Sequence, residues 1–266
     1  MEYRTVAGTD LKLSVITFGT ISFAATSRPS HRDTDEGKRA LHLALERPET
    51  FRVRVNGAAI SSDDECGWWC DRSLRKLPVD PSLLRPGANE IVMECDYAEN
   101  HSGLEIAYLL GTFGTRADGP EITMTEAPGA LRLGDWVGQG LTFYSGAVSY
   151  CRTIRPGLRK GQRLFVKVPD YRAAAVRVIV NGRSAGVIAW EPNEVDITDF
   201  VDGEAVELRI EVISHRRNSH GPLHFAQKWP FWTGPGQFVA AGKNWVDGYQ
   251  LVPCGLMSPP RLVVRR

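Results

Sequence analysis

Two copies of a Val-X-Val-Asn-Gly segment constrain the fold of this chain more than any other feature. The first copy, VRVNG, occupies residues 53–57, and the second, VIVNG, occupies residues 178–182. Asn-Gly suits the two-residue type I′ turn, because both central residues of that turn need a positive φ. The sequence therefore predicts two β-hairpins of the same design, with Asn181-Gly182 joining neighbouring strands of a C-terminal sandwich.

The similarity continues beyond the two hairpins. The stretch LPVDPSLLRPGANEIVMEC (77–95) resembles NEVDITDFVDGEAVELRIEV (193–212), since each has a Val-Asp pair, a Gly-containing turn and an alternating run. After residue 49 short strand-like runs follow one another, separated by turn residues, which is typical of a sandwich rather than an α/β fold. We therefore predict a mainly β chain, a tandem β-sandwich whose first copy is incomplete.

The first 48 residues have a different pattern. KLSVITFGT (12–20) is predicted to be a strand, and DTDEGKRALHLALERP (33–48) to be a helix that Pro48 ends. The sequence thus predicts three parts: a short α/β fragment (1–48), a partial β-sandwich (49–118) and a complete one (119–266).

Composition excludes several classes of protein. With 32 Lys and Arg against 31 Asp and Glu, the net charge of +1 gives no basic surface for nucleic acid. We find no apolar run long enough to span a membrane and no signal-peptide pattern. Five scattered cysteines, an odd number, do not suit a paired framework, so we expect buried thiols in a cytoplasmic protein. No nucleotide-binding glycine loop is present, and no cofactor is predicted.

The C-terminal part resembles the sugar-binding jelly roll of glycoside hydrolase family 2 and its relatives. The resemblance rests on Val180-Asn181-Gly182, Gly186 and Val195-Asp196-Ile197-Thr198, and extends to segments 215–224, 232–238 and 247–256. It covers residues 51–266 and implies a galactose-binding-like fold. It also implies that catalysis is absent, because these enzymes carry their acid and nucleophile on a separate barrel domain.

The first residues resemble the opening of an aldo-keto reductase. The similarity is carried by Tyr3-Arg4, Gly8-Thr9, Leu11, Ser14-Val15 and Phe18-Gly19-Thr20. None of that family's four catalytic positions has a match here, and 48 residues cannot close a barrel of about 250. The resemblance therefore implies no reductase activity.

Trp190, Glu191 and Glu194 are the first candidates for a carbohydrate site. An exposed indole can stack on the apolar face of a sugar, while carboxylates accept its hydroxyl hydrogens. Packing at the end of the sandwich is the favoured interpretation of Trp190, because large aromatics so often serve the core. Two carboxylates are also the minimum for glycoside hydrolysis, which we do not expect here.

A polar segment, HRRNSHGPLH (215–224), provides the second set of candidates. Arg216, Arg217 and Asn218 are candidates for binding sugar, although they are expected mainly to hold the loop by hydrogen bonds to carbonyls or a carboxylate. Three histidines in the same segment raise a zinc alternative, but their spacing in a Gly/Pro-interrupted loop gives no common face, and no metal site is predicted.

Trp68 and Trp69 form the third candidate. Adjacent residues on a strand face opposite sides, so one indole is expected in the core and the other exposed to a sugar or to another protein surface. Taken together, the sequence predicts a non-catalytic carbohydrate-binding or accessory domain of a glycoside-hydrolase-like protein. The alternatives are a structural module that packs on a catalytic domain and an inactive reductase-fragment fusion.

Overall fold

A computed structural model describes residues 3–5, 12–14, 41–97 and 104–266, the first two segments by backbone alone. The described chain from residue 41 onward divides into two compact units between Thr112 and Phe113. We call residues 41–112 unit 1 and residues 113–266 unit 2. The predicted three-part division of the chain, with boundaries after residues 48 and 118, stays a prediction.

Strands make up most of the regular structure before residue 113. In chain order they are β1 (Tyr3–Thr5), β2 (Lys12–Ser14), β3 (Leu41–Glu46), β4 (Arg52–Val55), β5 (Ala58–Ile60), β6 (Trp68–Trp69), β7 (Asp71–Val79), β8 (Ile91–Glu94) and β9 (Tyr108–Leu110). Short 3₁₀ turns occur at Pro48–Thr50, Ser62–Asp64 and Pro81–Leu83. β1 and β2 pair antiparallel with each other, and most residues of the reductase resemblance lie outside the described residues.

Unit 1 contains two antiparallel sheets among its described residues. One has the strand order β6-β7-β3-β9 and the other the order β5-β4-β8. Both contribute to a core, since Leu43 and Leu77 of the first sheet and Val55 of the second are fully buried. Apolar side chains of this size each contribute about 1.5–3 kcal/mol when buried.

The predicted helix over 33–48 is wrong for the part that the structure describes. Residues 41–46 form β3, which pairs with both β7 and β9, so chain on both sides of residue 48 shares one sheet. The leucines at 41, 43 and 45 recur every second residue, which is the period of a strand and not of a helix. All three are buried. The α/β character expected of the first fragment is therefore absent from residues 41–46.

Strands also dominate the chain from residue 113 onward. They are β10 (Gly114–Asp118), β11 (Glu121–Thr125), β12 (Gly134–Asp135), β13 (Ala147–Ile154), β14 (Arg163–Lys167), β15 (Tyr171–Arg172), β16 (Ala175–Val180), β17 (Arg183–Ile188), β18 (Glu194–Asp196), β19 (Val206–Ile213), β20 (Gly255–Leu256) and β21 (Arg261–Arg265). One short helix, α1 (Arg217–His220), and 3₁₀ turns at Val137–Gln139, Thr198–Phe200 and Pro235–Gln237 complete the list.

Two sheets, one of four strands and one of three, enclose the core of unit 2. Their strand orders are β13-β19-β16-β17 and β18-β14-β21. Val178 and Ile210 of the first sheet join Leu164 and Val166 of the second in one buried cluster, with Trp136 fully enclosed beside them. The described chain is therefore mainly β, as predicted, and unit 2 has two layers around one core.

Both predicted Asn-Gly hairpins are confirmed. Asn181 and Gly182 have φ values of 49° and 77° between paired residues Val180 and Arg183. The asparagine also locks the hairpin to a third strand, because its Oδ1 accepts a hydrogen bond from the Glu207 amide at 2.9 Å. Its own amide donates to the Glu207 carbonyl at 2.9 Å.

The first hairpin uses the same lock. Asn56 and Gly57 have φ values of 48° and 87°, and Asn56 Oδ1 accepts from the Glu90 amide at 2.9 Å. The Asn56 amide donates to the Glu90 carbonyl at 2.8 Å. An asparagine therefore does two things in each unit: it adopts the left-handed conformation, and it fixes the start of the strand that pairs with the other side of β4 or β16.

The internal repeat extends to the order of the strands. In unit 1 the sheets β7-β3-β9 and β5-β4-β8 correspond to β18-β14-β21 and β17-β16-β19 in unit 2, in the same chain order. The Val-Asp pairs match as well: Asp80 accepts from the Ser82 amide and Asp196 from the Thr198 amide, both at 2.9 Å. The similarity of the two sequence stretches thus reflects a shared arrangement of strands.

Substitution at the second hairpin separates these two roles of asparagine. Asn181→Gly keeps the positive φ but removes the side-chain lock, and should lower the free energy of unfolding of unit 2 by about 1 kcal/mol. Asn181→Ala should cost more, since alanine also resists the left-handed region. Chemical denaturation checks both values. Equal stability of the glycine variant and the native chain would show that the lock contributes nothing.

Two further sequence expectations concern cysteines and membranes. The thiols of Cys66, Cys95, Cys151 and Cys254 are free, but only Cys254 is buried, so the expectation of buried thiols is wrong for the exposed Cys66, Cys70 and Cys151. Within the described ranges no helix has both the length and the apolar character needed to cross a membrane. The cytoplasmic location stays a prediction.

Candidate functional site

Trp190 lies on a tight turn between β17 and β18, which we call the tryptophan turn (Trp190–Asn193). The turn is closed by a hydrogen bond from the Asn193 amide to the Trp190 carbonyl at 3.1 Å. The Asn193 carbonyl in turn accepts from the Val168 amide at 2.9 Å, and Ile188 anchors the incoming strand in the core. The indole of Trp190 is 79% exposed, so the expected packing role is wrong. The fold holds this ring in solvent on a fixed turn.

The two carboxylates near the turn have different surroundings. Glu191 is exposed and accepts a hydrogen bond from Asn193 Nδ2 at 2.7 Å. Burial of Tyr171 raises the pKa of its phenol, and the nearby negative charge of Glu191 raises it further. Glu194 instead accepts two hydrogen bonds from Arg265, at 2.5 and 2.7 Å. Those bonds hold the pKa of Glu194 below its usual value.

This difference decides what chemistry the pair can perform. Glycoside hydrolysis needs one carboxylic acid with a raised pKa to protonate the leaving group and a second carboxylate opposite it. Glu194 is held in its charged form by Arg265, so it is unsuited to donate a proton. Glu191 remains available as an acceptor for a ligand hydroxyl.

Arg217 and Asn218 hold a loop together, as the sequence predicted. Arg217 Nη2 donates to the carbonyls of Pro222 and Lys228, both at 3.2 Å, and burial lowers the pKa of the guanidinium. The Asn218 amide is 3% exposed and makes two reciprocal hydrogen bonds with the Val252 backbone, at 2.8 and 2.9 Å. These two side chains therefore position α1 rather than face solvent.

The other polar side chains of residues 215–224 also form hydrogen bonds within the protein. Arg216 is exposed, and its Nη1 donates to Ser145 Oγ at 3.3 Å. A ring nitrogen of each histidine has a separate partner: the Pro253 carbonyl for His215, Ser219 Oγ for His220, and the Val246 carbonyl for His224. In the described part of the chain no group of three or more His, Cys, Asp or Glu side chains is placed to hold a metal ion.

Trp68 and Trp69 divide as predicted. The Trp68 ring is 54% exposed. Trp69 packs against the buried cluster of unit 1, with its ring centroid 4.9 Å from that of Tyr108. Trp68 thus stays available to a ligand or another surface, whereas Trp69 serves the core.

A group of exposed aromatics was missed by the sequence reasoning. It lies on residues 226–244, which we call the aromatic loop, and its base is closed by a hydrogen bond from the Ala226 amide to the Asn244 carbonyl at 2.8 Å. Its exposed rings are Trp229 (63%), Phe231 (106%), Trp232 (72%) and Phe238 (50%). Loops longer than about 12–15 residues are uncommon and are usually functional or disordered. The signal was the aromatic density of KWPFWTGPGQF (228–238), of which only 232–238 is part of the glycoside hydrolase resemblance.

Comparison with known proteins gives structural similarity only. No protein-family model and no curated protein matches the chain. It is similar to an FMN-binding beta-glucuronidase from Facaelibacterium prausnitzii L2-6 (24% identity, TM-score 0.28, 44% of this chain). It is also similar to a rhamnosidase from Novosphingobium sp. PP1Y (20% identity, TM-score 0.37, 86% of this chain). A third similar structure is a beta-D-glucuronidase from Dictyoglomus thermophilum (17% identity, TM-score 0.30, 58% of this chain).

This chain spans 15%, 21% and 26% of those three chains, in the same order. These TM-scores are low, so the three similarities carry no argument about function.

Proposed function

We propose that this chain is a non-catalytic, carbohydrate-binding accessory domain of a glycoside-hydrolase-like protein, with Trp190 as the residue that stacks on the sugar. The observation that carries the proposal is the 79% exposure of Trp190 on a hydrogen-bonded turn. Leaving a ring of this size in water is unfavourable unless a ligand covers it. Because the turn is closed before any ligand arrives, stacking costs little further ordering.

Glu191 supplies the polar part of this site. Its carboxylate is exposed and is oriented by Asn193, so it can accept hydrogen bonds from sugar hydroxyls beside the ring. A binding site that combines one aromatic platform with a few placed polar groups suits a sugar, whose rings have apolar faces and polar edges. Trp68 offers a separate stacking surface within unit 1, and Arg217, Asn218 and Glu194 have structural roles.

The fold is consistent with this proposal. The galactose-binding-like jelly roll implied by the resemblance agrees with the two-layer core of unit 2 and with the matching strand order of unit 1. Gly186, one of the residues that carries the resemblance, packs closely against Val195, since a Cβ added at Gly186 would lie 2.9 Å from Val195 Cγ1. A free Cys66 and an exposed Cys151 suit the reducing cytoplasm.

The test is a glycan array with the full chain, followed by calorimetry on any sugar that binds. Trp190→Ala should weaken that binding at least about tenfold, or 1.4 kcal/mol, because it removes the platform. Glu191→Gln should weaken it less, since the amide oxygen still accepts a hydrogen bond.

Trp229→Ala is the matched control, because Trp229 is also an exposed indole in unit 2 and should leave the affinity unchanged. Either no saturable glycan binding at all or equal affinity of Trp190→Ala and the native chain would make the proposal wrong.

A structural interaction module is the second candidate function, and the aromatic loop favours it. Four large exposed rings with Lys228 and Lys243 and no acidic residue between 226 and 244 form a surface suited to another protein or domain. If Phe231→Ser abolishes a measured association while glycan binding persists, the chain has both functions. If no glycan binds and Phe231→Ser abolishes association, the interaction module is the function.

A further inference from the structure

A cleft of about 600 Å³ opens along one side of unit 2, away from the residues assigned to the sugar. Its walls come from β13 (Ile154) and from the start of β21 (Leu262). Its floor includes Leu208 and Ile210 of β19 and Leu256 of β20. Cavities of about 300–1,000 Å³ are the size that binding sites usually have.

Both walls of the cleft are edge strands. β13 is the last strand of its sheet and pairs along its whole length with β19 on one side. β21 is the last strand of the other sheet and pairs with β14. In the described part of the chain neither strand pairs on its outer side. An edge of this kind presents unpaired N–H and C=O groups that an added strand can satisfy.

The strand register shows that the cleft reaches the interior of the two-layer core. Arg152 of β13 is opposite Leu208, so its side chain starts on the core-facing side of the sheet. Leu262 and Val264 of β21 are opposite the buried Val166 and Leu164. Yet Leu262 is 43% exposed and Val264 47% exposed. Apolar side chains that face inward therefore meet solvent along this side, and an apolar occupant would cover them.

The charge of the cleft indicates what else the occupant carries. Three arginines line it, Arg152, Arg155 and Arg261, and no aspartate or glutamate does. Within the described residues none of these three is in an ion pair, whereas Arg163 of β14 and Arg265 at the far end of β21 pair with Asp196 and Glu194. A carboxylate-bearing occupant would supply the missing partners, and a guanidinium binds a carboxylate in a two-pronged geometry.

We propose that this cleft binds an extended, acidic peptide segment of a partner protein, which adds as a strand to the free edge of β13. Backbone hydrogen bonds to the edge would provide affinity, apolar side chains of the segment would cover the floor, and its carboxylates would bind the three exposed arginines. Ala147 at the start of β13 already accepts a hydrogen bond from Tyr144 Oη at 3.0 Å. The remaining residues, 148–154, are long enough to pair with a segment of about five or six.

The test uses the labelled peptide Glu-Val-Glu-Val-Glu with both ends blocked, added to the full chain and followed by fluorescence anisotropy. We expect saturable binding that weakens with salt. Lys-Val-Lys-Val-Lys should not bind. A version of the acidic peptide that is N-methylated at alternate residues should lose binding at least tenfold, because methylation removes the donors that pair with a strand edge.

Variants of the chain separate charge from fold. Arg152→Gln combined with Arg261→Gln should weaken binding of the acidic peptide at least tenfold, whereas Arg159→Gln, an exposed arginine of unit 2 outside the cleft, should not change it. Arg152→Glu with Arg261→Glu should reverse the preference and bind the lysine peptide.

Three results would each overturn the proposal. One is the absence of saturable binding of the acidic peptide. Another is equal affinity for the N-methylated version, which together with displacement by dodecanoate would identify an amphiphile site instead. The third is unchanged affinity in the double glutamine variant with its circular dichroism spectrum preserved, since the arginines would then have no part in binding.

Discussion

Replacing Asn218 with leucine is expected to lower the free energy of unfolding of unit 2 by about 2–4 kcal/mol. The side chain is 3% exposed and joins Val252, 34 residues further along the chain, by one donated and one accepted hydrogen bond. Leucine is similar in size but can make neither bond. The Val252 amide and carbonyl would then be buried without partners, and each unsatisfied group carries the cost of its lost hydration.

Urea denaturation measures this loss of stability. Hydrogen exchange of peptides from β16 and β19 then assigns the loss to unit 2. Gln227→Leu is the matched control, because Gln227 is exposed and donates a 3.3 Å hydrogen bond to the Trp229 carbonyl. It should change stability by no more than about 0.5 kcal/mol. If Asn218→Leu is equally mild, the reciprocal pair does not hold this loop and α1 has another anchor.

Acidification from pH 7 to pH 4 is expected to destabilise unit 2 by about 2 kcal/mol through His220 alone. Burial, and secondarily the positive charge of Arg216, lowers the pKa of His220 from 6.5 to about 4. Above pH 6.5 the imidazole is neutral in both folded and unfolded chains, so it has no effect on stability. As the pH falls from 6.5 towards 4, the unfolded chain takes up a proton that the folded chain does not, and stability is lost.

The expected size allows for partial exposure of the ring, because the full value of about 1.4 kcal/mol per pKa unit applies only without solvent screening. His220→Gln should flatten the pH dependence of unit 2 between pH 6.5 and 4. His42→Gln is the matched control, since His42 lies in unit 1 and burial also lowers its pKa. Hydrogen exchange of unit 2 peptides at several pH values would decide, and an unchanged slope in His220→Gln would contradict the assignment.

The sequence by itself determined the local features that depend on backbone conformation. Asn56-Gly57 and Asn181-Gly182 predicted their hairpins because few other dipeptides tolerate two consecutive positive φ values. AVELRIEVI (205–213) alternates apolar and polar residues and formed β19, and the valine-rich run AVRVIVNG (175–182) formed β16 and its turn. The internal repeat was also visible, since its Val-Asp pairs and hairpins have the same short-range chemistry in both units.

Some strands could not be found this way. β7 contains Pro78 and several charged residues, and it is a strand because β3 and β6 pair with it. The segment that forms β3 was predicted to be helical from its leucines and the Pro48 stop, although its period-two leucines fit a strand. Pairing with distant segments decided these cases, and a local pattern does not report a distant partner.

For the candidate site, the sequence identified residue types but not their exposure. Trp190 and Trp69 are both tryptophans beside a turn or strand end, yet one is in solvent and the other in the core. Glu191 and Glu194 are separated by two residues, but only Glu194 meets Arg265, which lies 71 residues later. Exposure and ion pairing depend on which remote segments pack nearby, so only the tertiary structure decided which of these side chains can meet a ligand.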